Sequence, residues 1–225
     1  MILLRVQYRQ HIGAVPGILL ALFLVFGRAC SVSAAAIPAP ISNAEQSGTA
    51  IVFYAQPQMK EDLWPALFEA LRADLADGAG ELPDGLVLDK EPTFVRGSED
   101  LRGVLFSKVI SVKLLGRCDV LPQTDRPALS GPLGWVLLVS GKVQPFVSID
   151  CRRLTQVLRS KLTGLTVEGR RCAVAQAIAH VLIHEWVHIA TQSSSHGARG
   201  IAQANLSVDE LIAGPKGDHL SGSNR

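Results

Sequence analysis

HEWVHIATQSSSHG, residues 184–197, contains an HExxH pattern with a third histidine eight residues after the second. On an α-helix His184 and His188 are one turn apart and project from the same face, so two imidazole nitrogens can approach one metal ion at about 2 Å. Glu185 lies between them, rotated by about 100° around the axis, which makes it a poor ligand but a good holder of a water beside the ion. A catalytic zinc site needs three protein ligands and an open fourth position. Were the helix to run straight on, His196 would sit about 12 Å beyond His188 along the axis, so the chain must stop and fold back. Thr191, Ser193, Ser194 and Ser195 are poor helix continuers, and Gly197 can take a positive φ. His184, His188 and His196 are therefore the expected metal ligands, and Glu185 the expected general base.

This layout resembles the zincin metallopeptidases, and within them the metzincin-like branch, in which a third histidine follows the active-site helix. Two extra residues separate the second and third histidines here, and Thr191 stands where that pattern has glycine. A group of secreted bacterial zincin-like proteins looks closer, with a glycine and a GxMxA-like stretch leading to a Glu-Leu pair. Gly200, Ile201, Ala202, Gln203 and Ala204 match that stretch, Glu210 and Leu211 follow it, and Ala202 takes the place of the methionine. The resemblance covers about thirty residues. It implies an α+β fold: a twisted mixed sheet packed by helices, one of them bearing HExxH, with a small C-terminal part. It also implies Zn2+ as cofactor and a peptide or protein substrate lying along a sheet edge.

Other readings stay open beside this one. Glu210 is an alternative third ligand, since zincins with a glutamate ligand place it further along the chain, but VDEL reads equally well as a helix start. His180, one turn before His184, is expected to be structural or to support a ligand. His219 is expected to be solvated, and Trp186 to belong to the core. Tyr54 is the only tyrosine beyond residue 36 and is expected to be buried in the first strand, which leaves no evident second electrophile.

The N-terminus points to export. Arg5 and Arg9 precede an apolar run at 17–26 (GILLALFLVF), about right for a signal-peptide core, and Ala34, Ala35 and Ala36 offer a cleavage site. A secreted or periplasmic chain of residues 37–225 with no stable membrane anchor is expected. Residues 1–36 carry three of the 22 basic residues and none of the 20 acids, so the remainder has 19 against 20 and a net charge of −1. No basic footprint for nucleic acid remains. The 189 residues left suit a single domain, with an upper part over 50–191 and a small lower part over 192–225. Cys30 leaves with the leader. Cys118 and Cys151 both end strand-like runs and are expected to pair, leaving Cys172 as a free, buried thiol.

Element order agrees with the α+β reading. Residues 50–55 (AIVFYA) read as a buried strand, and 62–77 as a helix with Leu63, Leu67, Leu71 and Leu75 on one stripe. Further strands are expected at 86–88 and 109–115. WVLLV and VQPFVSI, separated by Ser140, Gly141 and Lys142, read as a hairpin, one arm of which is the candidate substrate edge. A short helix around 151–158 precedes the HExxH helix, expected over about 170–191. The function expected is a secreted zinc-dependent metallopeptidase that hydrolyses peptide bonds with an ion-held water and Glu185 as general base. The alternatives are a non-catalytic metal-binding module and a hydrolase of cell-wall amides.

Overall fold

Alternation of apolar and polar residues builds the sheet. In FSKVISVKLL, Ile110, Val112 and Leu114 are buried, whereas Val109 and Lys113 on the alternate positions are exposed, the period-two signature of a strand with one covered face. The computed structural model describes residues 2–3, 46–55, 59–77, 91–97, 105–118, 130–197 and 200–214. Its elements are β1 (Ile2–Leu3), β2 (Gln46–Ala55), α1 (Leu63–Asp77), β3 (Thr93–Arg96), β4 (Phe106–Leu115), β5 (Gly134–Val139), β6 (Lys142–Asp150), α2 (Cys151–Val157), α3 (Arg159–Leu162), α4 (Val167–Thr191), β7 (Asn205–Leu206) and α5 (Val208–Ile212).

Five strands form one mixed sheet in the order β3-β2-β4-β6-β5. β2 runs parallel to β3 and β4, β4 parallel to β6, and β5 antiparallel to β6 through the tight turn at Ser140 and Gly141. Both turn residues have positive φ, as a two-residue hairpin loop requires. β5 is therefore an edge strand. A separate two-stranded pairing joins β1 to β7 antiparallel. The architecture is α+β, with a mixed five-stranded sheet packed by helices, among them the long helix that carries the histidines.

α1 and α4 cover one sheet face. The leucine stripe of α1 is inward as expected, with Leu63, Leu67 and Leu71 essentially inaccessible. Trp64 and Phe68 pack on Phe53, and Phe68 stacks on Phe94. α4 has 25 residues and is buried almost without interruption from Ala173 to Ile189. A helix buried all round is apolar all round, and α4 is the one described helix long and apolar enough to cross a membrane. Its burial within the protein makes it the central core element instead. Each Val, Leu or Ile it buries contributes roughly 1.5–3 kcal/mol relative to exposure.

Several expectations change. α4 starts at Val167 rather than near Arg170, because Thr166 caps it, its side chain accepting from the Gly169 N–H at 3.1 Å. Cys172 lies on the solvent side of α4, one position before the buried Ala173, with its Sγ facing Glu168, so the free thiol is exposed, not buried. Tyr54 is 43% exposed, because it alternates with the inward Phe53 and points to the outer face of the sheet. Trp186 is in the core, as expected. The strand expected at 86–88, the leader core at 17–26, the cleavage site at 34–36 and His219 lie outside the described residues.

Cys118 and Cys151 are disulfide-bonded, joining the end of β4 to the start of α2 across a sequence separation of 33. Such a bond is at home in an oxidising, extracytoplasmic compartment. A loop of that length predicts that replacing both cysteines by alanine lowers unfolding stability by about 3–4 kcal/mol in the chain-entropy account. The midpoint of denaturant unfolding under non-reducing conditions measures it. An unchanged midpoint would show that the bond does not constrain the unfolded chain.

Candidate metal centre

The site is assembled on the C-terminal half of α4 and on the chain that follows it. His184 and His188 are each 1% exposed and project from the same face, as the four-residue spacing dictates. Their Nε2 atoms are 3.2 Å apart. Each ring turns its other nitrogen to a backbone carbonyl: His184 Nδ1–H donates to Ile201 O and His188 Nδ1–H to Ser193 O, both at 2.7 Å. A carbonyl only accepts, so each Nδ1 carries the proton and each Nε2 presents a lone pair.

Two lone pairs facing each other at 3.2 Å repel unless a cation lies between them. The separation is close to the edge of a tetrahedron around an ion with Zn–N bonds of about 2.0–2.1 Å, an edge of about 3.3 Å.

His196 completes the group. α4 ends where Gln192 takes a left-handed conformation, with φ 52° and ψ 30°, while its side-chain amide donates to Ile189 O at 2.8 Å and to Val143 O at 3.1 Å. The positive φ expected at Gly197 is therefore found at Gln192. Gly197 is needed for a different reason: a Cβ there would lie 3.0 Å from Ala202 Cβ, and its N–H donates to Ala202 O at 2.8 Å. That close approach seats Gly197 against Ala202. The three ring centroids form a near-equilateral triangle with sides of 4.9, 4.9 and 5.3 Å. One nitrogen from each ring lies within 4.8 Å of the others. His196 Nε2 is buried with no hydrogen-bond partner. Two opposed lone pairs and an orphaned third nitrogen fit a metal ion, and the group His184, His188 and His196 could hold one.

Glu185 is 1% exposed, and its carboxylate lies against the edge strand. A Cβ on Gly134 of β5 would come within 2.5 Å of Val181 Cγ1 and 3.2 Å of Glu185 Oε1, so only glycine leaves room for this contact. Burial raises the Glu185 carboxyl to about 8, opposed by a hydrogen bond with the Val136 backbone. Its Oε2 is buried without a partner. Burial also lowers all three imidazoles, His184 to about 4, each further opposed by its carbonyl bond where it has one.

Glu210 does not join the group. It forms a capping box with Ser207 at the start of α5, donor and acceptor bonds running both ways, and these hold its carboxyl below the usual range. The helix-start reading of VDEL is the one realised. His180 is half-buried and bonded to Leu211 O. Sequence reasoning missed Gly134, Val136 and the carbonyls of Ser193 and Ile201. A backbone carbonyl has no sequence signature, and nothing local marks a strand glycine as the seat of a helix carboxylate. Searches against protein-family models, curated proteins and solved structures return no match to this chain.

These shifts set the pH dependence of the metal-free protein. Between about 4 and 6.5 the unfolded chain protonates imidazoles that the folded chain keeps neutral, so the histidine contribution is present above 6.5 and lost as pH falls toward 4. Glu185 runs the other way: its contribution is complete below 4.5 and lost as pH rises through about 8. Thermal unfolding in chelator should therefore give rising stability from pH 5 to about 6.5 and a decline toward pH 8. Glu185→Gln should flatten the decline and leave the rise. A decline that persists in that variant would show that another group causes it.

Proposed function

We propose that this chain is a secreted zinc-dependent metallopeptidase. The observation that carries the reading is the convergence of three buried imidazole nitrogens, two with lone pairs directed at one point, on the helix that also bears a buried carboxyl. Imidazole nitrogen suits zinc among several first-row ions, and three ligands leave one position for water or substrate. His184, His188 and His196 would hold the ion, which when bound acidifies a water and polarises a scissile carbonyl.

The remaining chemistry falls to the chain itself. Glu185 accepts a proton from the attacking water and returns it to the leaving amine as the C–O bond forms and the C–N bond breaks. Its raised pKa suits both halves of that transfer, since a carboxyl near neutrality gives up a proton as readily as it takes one, and a nearby cation favours its ionised form. Gly134 lets the carboxyl seat against β5, and Val136 fixes its orientation. Among the described residues β5 is an edge strand, and its Gly134 and Val136 lie against Glu185, so an extended peptide pairing with β5 would bring its amide near the carboxyl.

One observation favours a second reading, a metal-binding module without turnover. Glu185 is almost wholly inaccessible, as a carboxyl serving only to pack against β5 would also be.

Residues 37–225 and the Glu185→Gln variant separate the two. The enzyme reading expects near-stoichiometric zinc in both proteins, and hydrolysis of a proteome-derived peptide library that falls about 10²–10⁴-fold in the variant. Cell-wall fragments run in parallel test the amide class. Equal turnover in wild type and variant, on either substrate set, would remove Glu185 from the chemistry. His196→Ala should lose zinc and Glu210→Ala should keep it.

A further inference from the structure

Three histidines stand one turn apart on one face of α4, at 180, 184 and 188, and each turns Nδ1 to a backbone carbonyl of the chain that follows the helix. His188 donates to Ser193 O at 2.7 Å, His184 to Ile201 O at 2.7 Å and His180 to Leu211 O at 3.0 Å. Moving up the helix from 188 to 180, the acceptors advance along the sequence, so the chain carrying Ser193, Ile201 and Leu211 runs back along α4 and is tied to it at these three points. The first two points orient proposed ligands. The third involves a histidine that the ligand set does not need.

His180 is itself held from behind. The Gln176 side-chain amide lies 3.1 Å from His180 Nε2, and 2.7 and 2.8 Å from the two carboxylate oxygens of Asp74 on α1. With the proton on Nδ1, His180 Nε2 accepts one amide hydrogen of Gln176 and Asp74 the other. The Asp74 side chain is 8% and that of His180 15% exposed. Polar groups so enclosed cost free energy unless paired, so the ring has one favourable orientation, with Nδ1–H toward Leu211.

α5 needs such a tie. At five residues it is too short to be stable alone. Leu206 and Leu211 bury against the core, and the Lys161–Asp209 ion pair is largely in solvent, where it contributes little. Residues 202–210 connect Leu211 to Ile201, whose carbonyl accepts from the ligand His184.

We infer that His180 is a positioning residue for the metal centre: through Leu211 it anchors the returning segment that presents the Ile201 carbonyl to His184. The inference rests on the metal-site reading above. Groups that orient a ligand from behind are commonly worth 10–100-fold in metal affinity. His180 acts one step further out, through backbone, and by linkage zinc binding must tighten the docking of 193–211 as much as docking tightens zinc.

The test uses the full chain, with Zn2+ competed against a chromophoric chelator, and amide hydrogen exchange on the metal-free protein. In His180→Phe, zinc affinity is expected to fall about tenfold or more. Exchange over 200–212 should quicken while the amides of 174–183 keep wild-type protection. His180→Gln, which restores a donor, should recover most of both. Ile110→Ala, destabilised in the sheet, should keep wild-type affinity; an equal loss there would assign the effect to global stability and overturn the inference. So would wild-type affinity, or wild-type exchange over 200–212, in a folded His180→Phe. If that variant fails to fold, Gln176→Met, which frees the ring from behind, takes its place, and unchanged affinity there overturns the inference equally. Failure of the metal reading itself shows separately, as a wild-type chain that takes up no zinc.

Discussion

A helix that runs through the middle of an apolar core while carrying His180, His184, Glu185 and His188 must find partners for their polar atoms inside the protein. That constraint organises everything C-terminal to residue 191. The histidine Nδ1–H groups are satisfied by backbone carbonyls, which can be supplied only by chain that lies close along the helix. The chain at Ser193, Ile201 and Leu211 therefore lies back along the helix, and His196 meets the other two imidazoles. What is left unsatisfied is as informative: one nitrogen of each of the three rings converges on a single place, and on the same helix one oxygen of Glu185 is buried without a partner. Polar groups that a fold leaves unpaired in its core mark where something else is to be bound.

The sheet supplies the opposite wall. Among the described residues β5 is an edge strand, joined to β6 by the turn at Ser140 and Gly141, and its first residue is glycine, which lets the Glu185 carboxyl and Val181 press against backbone. Burial there disfavours the ionised carboxylate, just as burial of the imidazoles disfavours their protonated forms. The neutral histidines can donate lone pairs to a cation, and a positive charge placed there would favour the ionised Glu185 carboxylate that burial alone disfavours.

Much of this could be read from residue types and spacing. Period-two runs in β4, β5 and β6 and the leucine stripe of α1 identify their elements because burial of one face is a local, repeating demand. HExxH identifies the paired imidazoles because helical geometry alone places i and i+4 together. The Cys118–Cys151 pair follows from strand ends that neighbour in the sheet. Expectations failed where a single residue's environment was set by which side of a helix or strand it took. Cys172 is exposed because it falls on the outward side of α4, next to the inward Ala173. Tyr54 is exposed because Phe53 occupies the inward position. The left-handed residue ending α4 is Gln192, stabilised by its own side chain on Ile189 and Val143, rather than the more permissive Gly197.

By itself, then, the amino-acid sequence determined the α+β class, the helix bearing His184, Glu185 and His188, the need for a break before His196, and the disulfide. All of these rest on short-range periodicity or on the chemistry of residue types. Only the tertiary structure decided which protons the imidazoles carry, since that depends on the carbonyls of Ser193, Ile201 and Leu211, reached across 5, 17 and 31 residues. It likewise decided that Glu210 serves a helix cap, that Glu185 is seated against Gly134, and that His180 ties α5 to α4. Backbone atoms and the close approach of distant elements carry no residue code, so these contacts exist only once the chain has packed.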